Sequence, residues 1–377
     1  MSNLLSPRTS AGRLLALRLD FALVFTTLVV SVIGVVIVYS STRSKSVLLG
    51  VGRHYFLDRQ AAYVVVGIVA MVVLAALDYH WLEHAAGLLY GMLLLSLLAI
   101  FVIGSSAKGA TRWINLGPIQ LQPSAFGSLV LVVIVAAFAA RRPEGLERAD
   151  LFKVLGLAAV PILLVVKQPD LGSGIVMAVV LLVMLVVAGI PNRYLVLLLL
   201  AAVAGGFAII HLGLLKPYQL ARLTEFLHPN KSVQDTTYNL HQSVAAIGSG
   251  GFWGKGLFHG PQTNLAYVPE QQTDFIFSAV GEQLGFVGAA AVLVLLGVVA
   301  WRMLRAAQMA RDPFGRLVST GCFTFIAFSA FENAGMSMGI MPVAGIPLPF
   351  VSYGGSATVA FFAAVGIVLS VQLRHQR

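Results

Sequence analysis

The stretch Val268-Pro269-Glu270-Gln271-Gln272-Thr273-Asp274-Phe275-Ile276-Phe277 sets two carboxylates four residues apart, where a long polar segment gives way to an apolar one. Acids are scarce, 15 Asp and Glu in 377 residues, so a carboxylate at that boundary calls for a reason. Asp274 is either the N-cap of the following helix or a reactive group held at the edge of a membrane. A carboxylate so placed can take a proton from a hydroxyl nucleophile. If Glu270 is helical, it shares a face with Asp274 and the two raise one another's pKa; Pro269 leaves the conformation there open. Glu282 follows about two turns later, on roughly the same side of the expected helix. Glu282 and the Glu332-Asn333 pair lie inside apolar runs, where ionisable groups are costly and often functional. They either pair within the bundle or line a proton or ion pathway.

A second set of residues could bind an anion. Lys108-Gly109-Ala110-Thr111-Arg112-Trp113 and Lys167-Gln168-Pro169-Asp170-Leu171-Gly172 are short polar segments between apolar runs. Lys255 and His259 lie in the long polar segment, and Ser352-Tyr353-Gly354-Gly355-Ser356 precedes the last apolar run. Glycine-rich backbone at a helix start presents N–H groups to anions. Any one of these cations alone reads as a solvated or snorkelling side chain. Together, beside a bilayer, they suit a diphosphate headgroup.

The elements that must position these residues are membrane helices. The chain is 58% hydrophobic and 11% charged, against about one quarter charged in soluble domains. About ten apolar runs are long enough to span. They lie near 19–40, 61–77, 85–103, 124–140, 151–166, 171–190, 194–214, 275–301, 317–341 and 357–373, the second and fifth being short. The fold class is therefore an all-α integral membrane protein, with 1–377 a single polytopic domain. An even number of spans puts both termini on one side. Arg8, Arg13, Arg18, Arg141, Arg142, Arg148, Lys153, Arg302, Arg305, Arg311, Arg316, Arg374 and Arg377 all fall on that side, which is then cytoplasmic. Arg43, Lys45, Arg53 and Arg59 on the opposite side weaken the bias without reversing it.

The outer face then carries every segment of the anion-binding set and one large loop, 215–273. Its mixture of glycine with Phe252, Trp253, Phe258 and Tyr267 argues for an ordered segment packed on the membrane surface. The net charge of +10 comes from the loop cations and not from a basic groove with interleaved aromatics, which excludes nucleic acid as a partner. Walker A, zinc-cluster and nucleophile-elbow patterns are missing. The single cysteine, Cys322, reads as a packing residue.

The long loop carries a resemblance. Ala246-Ile247-Gly248-Ser249-Gly250-Gly251, Gly254-Lys255-Gly256, Gly260-Pro261-Gln262, Pro269-Glu270 and Thr273-Asp274-Phe275-Ile276-Phe277 resemble the SEDS family. So do Arg112-Trp113, Gln122-Pro123-Ser124, Gln168-Pro169-Asp170-Leu171-Gly172, Gly345-Ile346-Pro347-Leu348-Pro349-Phe350 and Ser352–Ser356. The order and spacing are similar to the cell-elongation branch; the division branch typically lacks the Gly260–Gln262 stretch.

The resemblance implies a peptidoglycan glycosyltransferase in the bacterial cytoplasmic membrane. It polymerises lipid II, a disaccharide-peptide on a polyprenyl diphosphate, beside a class B penicillin-binding protein that crosslinks the strand. It puts the catalytic base at Asp274 and substrate binding at Arg112, Lys167, Asp170, Gln242, Lys255, Glu270, Thr273 and Ser352, with or without a divalent cation (Mg or Mn). Two departures stand out. Ala125 and Ser128 replace a Glu and Lys pair usual in the family, and Gln272 stands where His is common. Two other readings stay open: a flippase or transporter for lipid II or another polar lipid, motivated by Glu282, Glu332 and the short fifth span, and a non-catalytic scaffold for a transpeptidase.

Overall fold

The computed structural model describes residues 20–107, 110–116, 119–142, 145–211, 213 and 235–375. Arg8, Arg13, Arg18, Lys108, Gly109, residues 215–234 of the outer loop and Arg377 lie outside the described residues. The helices are α1 (Phe21–Leu48), α2 (Tyr55–Ala76), α3 (His80–Ile103), α4 (Pro123–Ala140), α5 (Arg148–Lys167), α6 (Leu171–Val187), α7 (Asn192–His211), α8 (Asp235–Gly250), α9 (Pro261–Asn264), α10 (Ile276–Met309), α11 (Pro313–Ser337) and α12 (Gly355–His375). Eight of them, α1 to α5 and α10 to α12, are long and apolar enough to cross a membrane, and α6 and α7 are shorter apolar helices. These ten correspond to the ten apolar runs. The largest boundary differences are α1, which continues to Leu48, and α10, which continues to Met309.

Local chemistry sets the helix starts. Asp20 and Asp312 cap α1 and α11 by accepting from Leu23 N (3.0 Å) and Gly315 N (2.7 Å). Pro123, Pro261 and Pro313 occupy first-turn positions, where a missing N–H costs nothing. The fifth span is not short: α5 runs through Pro161. That proline has no N–H for Leu157 O, and the Tyr90 hydroxyl of α3 donates to this carbonyl instead (2.8 Å).

α4, α11 and α12 are buried along most of their length and form the centre of the bundle, while α2 and α3 show most of their surface to lipid. One end of the bundle is tied by charge. Arg302 Nε and Nη2 each lie 2.7 Å from Asp20 Oδ2, which also accepts from Gln372 Nε2 (3.1 Å). The start of α1 and the end of α12 therefore meet at one end. At the other, Lys45 near the end of α1 meets Glu270 just before α10 (3.2 Å).

Two parts of the outer side differ from expectation. Residues 105–121 hold three short antiparallel strands, β1 (Ser105–Ala107), β2 (Ala110–Leu116) and β3 (Ile119–Leu121), where the sequence reads as loop. The described part of the 215–273 loop also packs against the bundle, a contact the sequence did not show. It forms α8, which packs on α10, and a glycine strip that enters α10 itself. α10 is broken at Gly285 (φ 67°, ψ −165°). Lys255 N and Gly256 N donate to Glu282 O and Gln283 O (both 3.0 Å), and Phe286 N and Val287 N donate to Gly251 O (2.9 Å) and Phe252 O (3.2 Å). Four backbone groups at the break are thus satisfied by the strip, as burial in a membrane protein requires. A Cβ at Gly285 would sit 2.2 Å from Gly254 N, so both crossing positions must be glycine.

Candidate active site

Asp274 stands in a turn gripped from three sides. Its own N–H donates to Glu270 O (3.1 Å), and its carbonyl accepts from Asn333 Nδ2 of α11 (2.7 Å). The same Asn333 nitrogen donates to Ile346 O (2.7 Å). The Ser352 hydroxyl donates to Thr273 O (2.6 Å) and accepts from Leu348 N (2.8 Å), and Tyr353 N donates to Gln272 O (2.8 Å). Gln60 of α2 closes the far side, donating to Ser352 O (3.2 Å). The sequence motif around Asp274 and the one ending at Ser356 are therefore one structural unit. Ser352 serves it by fixing backbone.

Asp274 is not the cap of α10. That position is Phe275, and the Asp274 side chain is half-buried one residue outside it. Nor do Asp274 and Glu282 share a helix face, because α10 begins only at Ile276. Glu282 faces α9, where its carboxylate accepts from Gln262 N (2.8 Å), Thr263 N (2.9 Å) and Thr263 Oγ1 (2.6 Å). Glu270 is not helical: its φ is +53°, a left-handed turn conformation, and its carboxylate meets Lys45. Thr273 closes the turn by donating to Glu270 O (3.1 Å). Beside the turn, burial and the neighbouring Tyr63 push the Tyr353 phenol up to about 12, although Arg59 pulls the other way. Its hydroxyl therefore stays a proton donor throughout the neutral range.

The remaining candidates fall into separate places. Asp170 is buried and caps α6, accepting from Ser124 Oγ (2.7 Å), Ser173 Oγ (2.8 Å), Gln122 Nε2 (3.3 Å) and Ser173 N (3.3 Å). These bonds make it a structural anchor between α4 and α6. Arg112 lies 3.8 Å from Asp170 and donates to Pro169 O. Lys167 Nζ sits 5.6 Å from the centre of the Phe101 ring. Gln122 N donates to Ser356 Oγ (2.9 Å), which links this cluster to the Ser352 segment. Lys255 is exposed where the glycine strip crosses α10, and Gln242 is half-buried on α8; among the described hydrogen bonds neither side chain reaches the Asp274 turn.

Ala125 and Ser128 lie on α4, where Ser128 is buried. Gln272, in the position where His is common, is also buried, and its carbonyl holds the Tyr353 N–H. Among the described residues no group of three or more His, Cys, Asp or Glu side chains is arranged to hold a metal ion. Sequence reasoning counted Lys45 only as a charge on the opposing side, yet it is the cation at the turn itself. Asn333 and Gln60 carried a weak signal, amides within apolar runs.

The protein family model described as "Cell cycle protein", covering FtsW, RodA and SpoVE, matches residues 21–377. The chain belongs to the FtsW/RodA/SpoVE family. Among its relatives, the probable peptidoglycan glycosyltransferase FtsW of Geobacter metallireducens is 35% identical over 95% of both chains. The peptidoglycan glycosyltransferase MrdB of Escherichia coli is 37% identical over 85% of this chain and 86% of its own. Stage V sporulation protein E of Bacillus subtilis is 34% identical over 95% of this chain and 98% of its own. Identity alone does not separate the branches of the family. A solved chain of a peptidoglycan synthase complex superposes with a TM-score of 0.79 at 30% identity, covering 95% of this chain and 99% of its own. The rod shape determining protein RodA of Thermus thermophilus gives 0.69 at 29% identity, covering 95% and 97%.

Proposed function

We propose that this chain is a peptidoglycan glycosyltransferase, a single polytopic domain that polymerises lipid II at the outer face of the bacterial cytoplasmic membrane during cell elongation. Asp274 is its general base. The observation that carries this reading is the way Asp274 is held. Its backbone is fixed by Asn333 and Glu270, while its side chain stays half-buried at the end of the bundle opposite the α1 start and the α12 end. That arrangement suits a proton acceptor poised against an incoming hydroxyl.

The Asp274 carboxylate takes the proton of the acceptor sugar hydroxyl as that oxygen attacks the anomeric carbon of the donor. The new C–O bond forms as the bond to the diphosphate oxygen breaks, with inversion, and the electron pair leaves with the polyprenyl diphosphate. A diphosphate is already a good leaving group, so the site needs positive charge rather than a second carboxyl acid. Arg112, Lys167 and Lys255 are the candidates for it. Glu270 already faces Lys45, so a divalent cation (Mg or Mn) would be held largely by the diphosphate itself.

The Gly260-Pro261-Gln262 stretch, built around Glu282, supports the elongation branch. Both termini are cytoplasmic, and the crosslinking partner is a class B penicillin-binding protein. Glycan formation from lipid II by the purified complex, with the transpeptidase inactivated, tests the reading. Polymer is expected; its absence in an intact complex would favour a scaffold. The break of α10 at Gly285 favours a second reading, lipid transport, since interrupted helices mark transport sites. Four backbone groups at the break are already bonded to residues 251–256, which weighs against this reading. Labelled lipid II crossing between leaflets of proteoliposomes would support transport.

A further inference from the structure

Glu282 is fully buried in the second turn of α10, where a carboxylate must be satisfied by donors. All three donors come from one place. Gln262 N and Thr263 N are first-turn N–H groups of α9, which the helix itself leaves unpaired, and the third donor is the Thr263 hydroxyl. The residue at the cap position of α9 is Gly260, which has no side chain to offer. A Cβ there would lie 2.6 Å from the Glu282 carboxyl, so glycine is what lets this carboxylate cap α9 from another helix.

The contact continues toward Asp274. Thr263 Oγ1 accepts from Gln271 Nε2 (3.2 Å), which also donates to Ser278 Oγ (3.1 Å), and Ser278 Oγ donates to Phe275 O (2.7 Å). Thr263 and Gln271 are both buried. Gln271 is three residues before Asp274, on the flank of the turn that Asn333 and Ser352 do not reach. We propose that Glu282 is a positioning residue for the reaction. Through Thr263 and Gln271 it holds that flank of the turn and so fixes the direction of the Asp274 carboxylate. This rests on Asp274 being the base.

The test uses the complex with its transpeptidase partner and lipid II as substrate, comparing Glu282→Gln, Thr263→Val and Thr263→Ser with wild type, and Asp274→Asn alongside. Glu282→Gln sets an NH₂ against N–H and O–H donors, and Thr263→Val removes the relay hydroxyl. Each is expected to lower kcat by about 10²-fold, the loss typical of small misplacement of a catalytic group, with KM nearly unchanged. Thr263→Ser restores the rate, and a variant combining Glu282→Gln with Thr263→Val is no worse than the worse single one. Hydrogen exchange of the 261–275 segment rises in Glu282→Gln and Thr263→Val.

Wild-type kcat in Thr263→Val, or a raised KM with kcat intact, overturns the proposal. If Glu282→Gln does not fold, the Thr263→Val and Thr263→Ser pair decides it. Should Asp274→Asn polymerise like wild type, the assignment of the base fails and the proposal with it, while exchange still reports whether Glu282 holds the turn. An inactive Asp274→Asn beside active Glu282→Gln and Thr263→Val overturns the positioning role alone.

Discussion

Asp170 and Asp274 each stand just before an apolar run, and the fold uses them in opposite ways. Asp170 accepts from Ser124, Ser173 and Gln122 and is buried, so its carboxylate is committed to joining α4 to α6. Asp170→Ala leaves those donors unpaired, and we expect a loss of about 1–3 kcal/mol, read as a lower melting temperature of the purified protein. Asp274→Asn keeps the backbone bonds to Glu270 and Asn333 and should melt close to wild type. This difference was not legible in the sequence, where both acids match the family pattern. Ser124 and Asp170 are 46 residues apart, and only the fold shows that they meet. Glu270 was half-legible: Pro269 argued against a helix, but Lys45 as its partner is a contact across 225 residues.

At the scale of elements, hydropathy made the apolar helices readable, because each run must hide its backbone from lipid. The three strands of 105–121 escaped notice, since two are only three residues long, too short for an alternation to register. The glycine strip was legible as ordered, but not its target, the break in α10. Gly285→Ala would force a side chain onto Gly254 N and needs a φ that alanine disfavours. We expect it to detach the strip, seen as protease sensitivity of 251–263 and loss of folded protein. The proline in α5 yields a gentler case. Tyr90→Phe removes the hydroxyl that replaces the missing proline N–H at Leu157 O. The expected cost is about 1 kcal/mol, measurable as a lower melting temperature with activity retained.

The whole molecule is organised by its two ends. At the end that we place in the cytoplasm, burial works to raise the Asp78 carboxyl, but the His80 N–H and ring and the Arg374 guanidinium outweigh it and hold it below its ordinary 3.8. A depressed folded value means stability present above the ordinary carboxylate range and lost as pH falls through that lower value. The melting temperature should therefore drop below about pH 4, and less steeply in Asp78→Asn. The opposite end is open to an accessibility test. Cys322 is buried, so Trp253→Cys, at an exposed position, gives a single reactive thiol that an impermeant reagent should label from outside the cell. Labelling only after permeabilisation would reverse the orientation. Everything else depends on Asp274. The most direct measurement is glycan-strand formation from lipid II by the purified complex, wild type against Asp274→Asn, with both complexes shown to be intact. Polymer from wild type alone is the predicted result, and polymer from Asp274→Asn at the wild-type rate would contradict the account.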